Sequence, residues 1–340
     1  MKRRFGVALG IAVSSIAIVG LVACAQESRA QTRQVPLTPW GHPDLQGVWT
    51  TDAEIGIPVE RPVQYGEKAL LTRQEFEEKL QKQAEAESRR AGAERSAGDR
   101  TSPDLPQWYG ETGKASRRTS LVVDPPNGRI PEYTAEAKQR VVPKGTALGF
   151  VGGSFLSDGP FDGPEDLNLF DRCITRGLPT TWYPSQYSNE FQIVQSQDHV
   201  ALLYERLHEA RIIPVDGRPH LDPAARWWLG DSRGRWEGQT LVVDVTNFSD
   251  QATFMKSGRT LHLIERYTRV DPETLTVSVT VDDPTTWVKP WTFMVTGKTG
   301  AAYWQIFEGA CHEGNYAMRH ILSGARAKER AGAAAAKKKE

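Results

Sequence analysis

Leu275-Thr276-Val277-Ser278-Val279-Thr280-Val281 is the stretch whose reading decides the fold. Its apolar residues alternate with hydroxyl residues, and a period of two belongs to a β-strand with one buried and one wet face. Working outward, further strand-like runs follow one another closely: 191–195, 199–205, 210–215, 240–248, 261–270, 291–295 and 304–307. Short connections with no helices between them imply an antiparallel meander. Such a meander must close or stack to hide its edges. The expected fold is therefore mainly β, a barrel or curved sandwich that is lipocalin-like in outline, with one N-terminal and one C-terminal helix.

Four regions are expected: a signal peptide over 1–23, an extended linker with one surface helix over 24–118, the β-rich domain over 119–324, and a disordered basic tail over 325–340. Residues 25–64 are rich in Pro and Gly and should hold little regular structure, packing by their Trp side chains. Thr72-Arg73-Gln74-Glu75 is a capping box, and the helix formers after it predict a helix to about Arg90. Ala91 to Arg118 reads as a long loop, Leu121 to Asp124 as a short strand, and Gly145 to Pro164 as a Gly-rich loop. The last helix is expected from Asn315 to Leu322 or on to Ala331, with a frayed Ala- and Lys-rich end.

With 39% apolar and 25% charged residues among 340, the chain can bury a full core, which excludes disorder throughout. The 42 basic and 42 acidic residues balance only because the ends are basic. Setting aside Lys2, Arg3 and Arg4 and the tail from Ala325, with its six basic and two acidic residues, leaves 33 basic and 40 acidic side chains over 24–324. That acidic body argues against nucleic acid as a partner, since phosphate binding needs a basic face.

Three basic residues followed by the apolar run Phe5 to Ala23 read as a signal peptide, too short and too early for a retained span. Leu21-Val22-Ala23-Cys24 matches the bacterial lipobox, making Cys24 the site of lipid attachment, and Ala25 after it favours the outer membrane. Ser28-Arg29-Ala30 also fits ordinary cleavage, which would release a free periplasmic protein. An exported compartment is oxidising, so Cys173 and Cys311 are a candidate disulfide, with two buried thiols as the alternative.

The candidate chemistry is spread over strands: Glu205, His208 and Arg211, then Asp244, then His262, Glu265 and Arg266. His208, His262, Glu265 and Asp244 could act as acids and bases if they face one cavity, since imidazole titrates near neutrality. Glu205, Arg211, Arg266, Trp236 and Trp291 could line it, and Trp rings suit sugars or flat apolar ligands. A cross-strand ion-pair ladder and plain core packing explain the same residues. Gly230-Asp231-Ser232-Arg233-Gly234 fits the nucleophile-elbow pattern, but a strand follows it instead of the required helix, so a turn is the better reading. No spacing of the seven His residues builds a recognisable metal site, and no cofactor is expected.

Pro39-Trp40-Gly41-His42-Pro43-Asp44-Leu45-Gln46-Gly47-Val48-Trp49, Gly217 to Leu221, Gly230 to Phe248 and Ala310 to Tyr316 resemble an uncharacterised family of exported bacterial proteins over nearly all of the mature chain. The resemblance implies a secreted β-rich fold and carries over no catalytic residue. The expected function is binding of a small apolar or glycosidic ligand by a periplasmic protein that meets the membrane only through its lipid anchor. The alternatives are an enzyme using a His and carboxylate pair, as hydrolase, lyase or isomerase, and a structural envelope protein.

Overall fold

Alternation along the chain becomes registry across a sheet. The computed structural model describes residues 35–97, 116–148, 161–185, 187–300 and 305–337. The signal peptide, Cys24 and Ala30 lie outside them, as do 98–115 of the expected long loop, 149–160 of the Gly-rich loop and Trp304. The fold is mainly β. Its strands are β1 (Gly47–Thr50), β2 (Val122–Asp124), β3 (Glu190–Gln195), β4 (His199–Tyr204), β5 (Ala210–Pro214), β6 (Asp231–Glu237), β7 (Thr240–Thr246), β8 (His262–Asp271), β9 (Thr274–Asp282) and β10 (Trp291–Lys298). They form one antiparallel sheet in the order β5-β4-β3-β1-β10-β9-β8-β7-β6, with β2 beside β10.

Two meanders, β3 to β5 and β6 to β10, are thus joined through β1. This strand comes from the Pro- and Gly-rich segment in which little regular structure was expected. It pairs with β3 along its length, and Trp49 is fully buried. The run at 231–237 is also a strand, although a turn is expected over 230–234. Its Asp and Gly residues have low β-propensity, but full pairing with β7 outweighs local preference. Gly238, at φ +59°, starts the two-residue connection between them, a position where glycine costs nothing. Residues 305–307, expected to continue a strand from Trp304, have no regular structure.

Register puts Leu241, Val243 and Val245 beside Tyr267, Glu265 and Leu263, then Val277, Val279 and Val281, then Val295, Phe293 and Trp291. All twelve are buried, and all but Glu265 are hydrophobic. This is the inner face. Trp182 meets Phe191, Tyr204 and Tyr267 edge-on, with ring centroids 5.1, 5.5 and 5.7 Å away.

Nine strands lie on the sheet's path, so its two ends, β5 and β6, run in the same direction. An antiparallel sheet closes with antiparallel ladders only when its strand number is even. No ladder joins β5 to β6 among the described residues, and the sheet is not closed into a barrel. The two edges meet through side chains instead: a Cβ on Gly234 would lie 2.6 Å from Val215 Cγ1 and 3.0 Å from Ile213 Cγ2, so only glycine permits that approach.

The capping box forms both of its bonds: the Glu75 amide donates to Thr72 Oγ1 at 3.2 Å, and the Thr72 amide to Glu75 Oε2 at 2.8 Å. Helix α1 spans Arg73–Ala97, past the expected end near Arg90, and short α2 spans Ala135–Gln139. Helix α3, Ala317–Lys337, takes in most of the tail expected to be disordered, because Ala and Lys are strong helix formers. Cys173 and Cys311 are joined by a disulfide, with their Cα atoms 5.8 Å apart.

Candidate functional site

The expected site residues do not share one cavity. Adjacent strand residues point to opposite faces, so Glu265 turns inward while His262 and Arg266 turn outward. Glu265 is 0% exposed and Arg211, on β5, 4%. Arg211 Nη1 donates to Glu265 Oε1 at 3.1 Å and Nη2 donates to Oε2. Trp182 Nε1 and the Tyr267 hydroxyl also donate to this carboxylate, each at 3.0 Å. Burial alone would lower the Arg211 pKa, and the adjacent Glu265 charge reverses that and holds it well above its usual value. The pair bridges the interior from β8 to β5.

The other expected residues are scattered. His208 is exposed on the turn after β4, whereas His262 begins β8. Glu205 is buried and accepts from the Phe307 amide at 3.2 Å. Arg266 is exposed and pairs with Glu237 at 2.9 Å. Trp291 is a fully buried core residue packed on Phe254, Trp287 and Phe293. Trp236 is half-buried and stacks on His42 at 4.9 Å.

Asp244 and His262 do come together, on the outer face, and with partners that sequence reasoning missed. His262 Nε2 meets Asp244 Oδ2 at 2.9 Å. Asp244 Oδ1 meets His220 Nε2 at 2.8 Å, and His220 Nδ1 meets Asp231 Oδ2 at 2.8 Å. Asp231 also accepts from Arg233 Nη1 at 2.6 Å and from the Leu221 amide at 3.0 Å. His220 escaped notice because it sits in a loop with no strand period. Asp231 was read as part of a turn; recognised as a strand, 231–237 would have put Asp231 and Arg233 on the face that carries Asp244.

The hydrogen bond from His262 holds Asp244 below the usual carboxylate range, and the same bond, against partial burial, raises His262 above its usual 6.5. A raised histidine stabilises the fold fully below 6.5, and that contribution is lost as pH climbs through the raised value. A depressed carboxylate contributes above 3.8, and its share is lost as pH falls through the lowered value. The pair therefore supports the fold at mildly acidic pH, and the histidine's share is lost as pH climbs through its raised value. Asp244→Asn should lower the NMR titration midpoint of His262 and flatten the decline of stability above pH 6.5. An unchanged midpoint and slope would show that the pair is not coupled.

These contacts also pin a loop. Arg233 Nε donates to Pro219 O at 2.7 Å, and Asn247 Nδ2 to Leu221 O at 3.1 Å and Asp222 O at 3.2 Å. The loop continues to Trp227, Trp228 and Leu229, which form one wall of a cleft of about 380 Å³ at the seam between β5 and β6. Ile212 and Leu221 add apolar surface, and Arg211 and Ser232 contribute from the two edge strands. Trp227 is 45% exposed, while its backbone is fixed by bonds with Asn247 and Ser249. Gly230, at φ +67°, lets the chain enter β6 where a Cβ would come within 2.6 Å of Thr246 O.

A second depression of about 380 Å³ includes Arg140 and Lys256, but both cations are engaged by backbone carbonyls. Among the described residues no group of three or more His, Cys, Asp or Glu side chains is placed to hold a metal ion. No described helix is long and apolar enough to cross a membrane. No protein-family model and no curated protein matches the chain.

Proposed function

We propose that the protein is exported to the periplasm, anchored to the outer membrane by a lipid on Cys24, and binds a small apolar or glycosidic molecule in the seam cleft of a barrel-like body. The observation that carries the binding reading is the cleft itself. Its volume of about 380 Å³ suits a small ligand, and Trp227 and Trp228 offer ring surface on a wall held by backbone and side-chain bonds. This moves the site from the interior, which Trp182, Tyr267 and the Arg211–Glu265 pair occupy, to the gap between the edge strands.

N-phenyl-1-naphthylamine, a fluorescent apolar probe, should bind at one equivalent, and Trp227→Ala should weaken binding by about tenfold, since a half-exposed ring contributes roughly 1–1.5 kcal/mol of contact. Binding that Trp227→Ala leaves unchanged would remove the cleft as its location. Lipid anchoring rests on the Leu21-Val22-Ala23-Cys24 motif. Cys24→Ser should shift the protein out of the detergent phase on cloud-point extraction, and wild-type protein found in the aqueous phase would refute the anchor.

One observation favours a second reading, an enzyme. The Asp244–His262 pair is half-exposed, and a carboxylate-held imidazole is a group suited to general acid and base work. His208 and Glu265 have no part in that reading.

A further inference from the structure

Helix α3 touches the rest of the protein along only part of its length. Met318, Ile321, Leu322 and Ala325 recur at the spacing of one helix face and are half-buried, and Asn315 before them donates to Asp171 O at 3.3 Å. Arg326 closes this contact by donating to the Phe161 carbonyl, and it pairs with Glu329 at 2.9 Å. Beyond it every residue from Ala327 to Ala336 is exposed, so nearly three turns of helix have no buried side.

Charge is segregated along the chain in the same way. Arg319, Lys328 and Arg330 are exposed and form no ion pair among the described residues, and the sequence ends Lys337-Lys338-Lys339-Glu340. Residues 24–324, by contrast, hold 33 basic and 40 acidic side chains. An exposed cationic helix end on an acidic protein fits a partner that is anionic and extended.

We propose that the exposed end of α3 docks on an anionic phospholipid surface. Clustered Lys and Arg gain roughly fivefold in affinity for each charge brought near such a surface. The acidic body is repelled by the same surface, so the contact falls to the helix. From Ala327 to Ala336 the helix carries no large apolar side chain, so it rests at the headgroups without inserting, and its binding is reversible and salt-sensitive. This contact is additional to the lipid on Cys24 and does not depend on it.

The test uses full-length Cys24→Ser protein, in which no lipid contributes, and follows its co-sedimentation with vesicles. One set holds phosphatidylglycerol and phosphatidylcholine in equal parts, and the other phosphatidylcholine alone. Any pull of the apolar leader is common to both. The anionic vesicles should be preferred by about a hundredfold or more at low salt, and high salt should abolish the preference. Arg319→Gln, Lys328→Gln and Arg330→Gln together should reduce it about a hundredfold, and far-UV circular dichroism should not change because Gln is a good helix former. Removing as many charges elsewhere, by Arg73→Gln, Lys82→Gln and Lys289→Gln at exposed positions, should alter it by no more than about twofold.

Equal binding of the parent protein to both vesicles would overturn the proposal, as would a preference that survives the three α3 substitutions. A loss just as large in the distant set would overturn it too, since net charge alone would then explain the binding. Capture by soluble polyphosphate without binding to the anionic vesicles would overturn it in favour of a soluble polyanion.

Discussion

Replacing Arg211 by Met lowers the unfolding free energy by about 3–5 kcal/mol, read as a fall in the urea midpoint at neutral pH. The cost comes from what remains. Glu265 is fully buried, and Arg211 faces it with two donors. Without the guanidinium the carboxylate must either stay charged in an apolar interior or take up a proton, and both states are less favourable than the pair. Arg211→Met with Glu265→Gln should recover about half of the loss. Both charges are then gone, and the Gln carbonyl still gives Trp182 or Tyr267 an acceptor. Leu at 265 should recover less, since it leaves both donors unsatisfied. A single Arg211→Met variant within about 1 kcal/mol of wild type would mean that water reaches Glu265 and that the seam is looser than its packing indicates.

Removing the disulfide has an effect of similar size by a different route. Cys173 and Cys311 are 138 residues apart in sequence, and a closed loop of that length restricts the unfolded chain strongly. On the chain-entropy account Cys173→Ala with Cys311→Ala costs about 4–5 kcal/mol. The bond joins the segment before β3 to the segment after β10, so it ties down chain that the sheet's ladders do not hold. The double variant should show a lower urea midpoint than oxidised wild type, and reduced wild type should match the variant. If the reductant leaves the wild-type midpoint unchanged, the crosslink is not formed in solution.

Much of the β7 to β10 meander could be read directly. Leu275 to Val281 shows its two faces by alternation alone, and the same rule distinguishes inward Glu265 from outward His262 once the strand is recognised. The capping box at Thr72 to Glu75 marked the start of α1 for an equally local reason: both of its bonds lie within one turn. Strand β6 could not be found this way, since Asp231-Ser232-Arg233-Gly234-Arg235 has a turn's composition and becomes a strand only through its ladder with β7.

The candidate sites were less legible still. Asp244 and His262 stood out as a carboxylate and an imidazole on neighbouring runs. Their link to His220 and Asp231, however, depends on a loop folding back across 24 residues of sequence. The seam cleft appears in no motif, because it exists where the first and last strands of a nine-strand path meet pointing the same way. Periodicity and caps are properties of a few consecutive residues, so the sequence alone determined a mainly β chain, its inward and outward positions and the start of α1. Strand number, the identity of the edge strands and the groups trapped between them depend on contacts distant in sequence, and only the tertiary structure decided those.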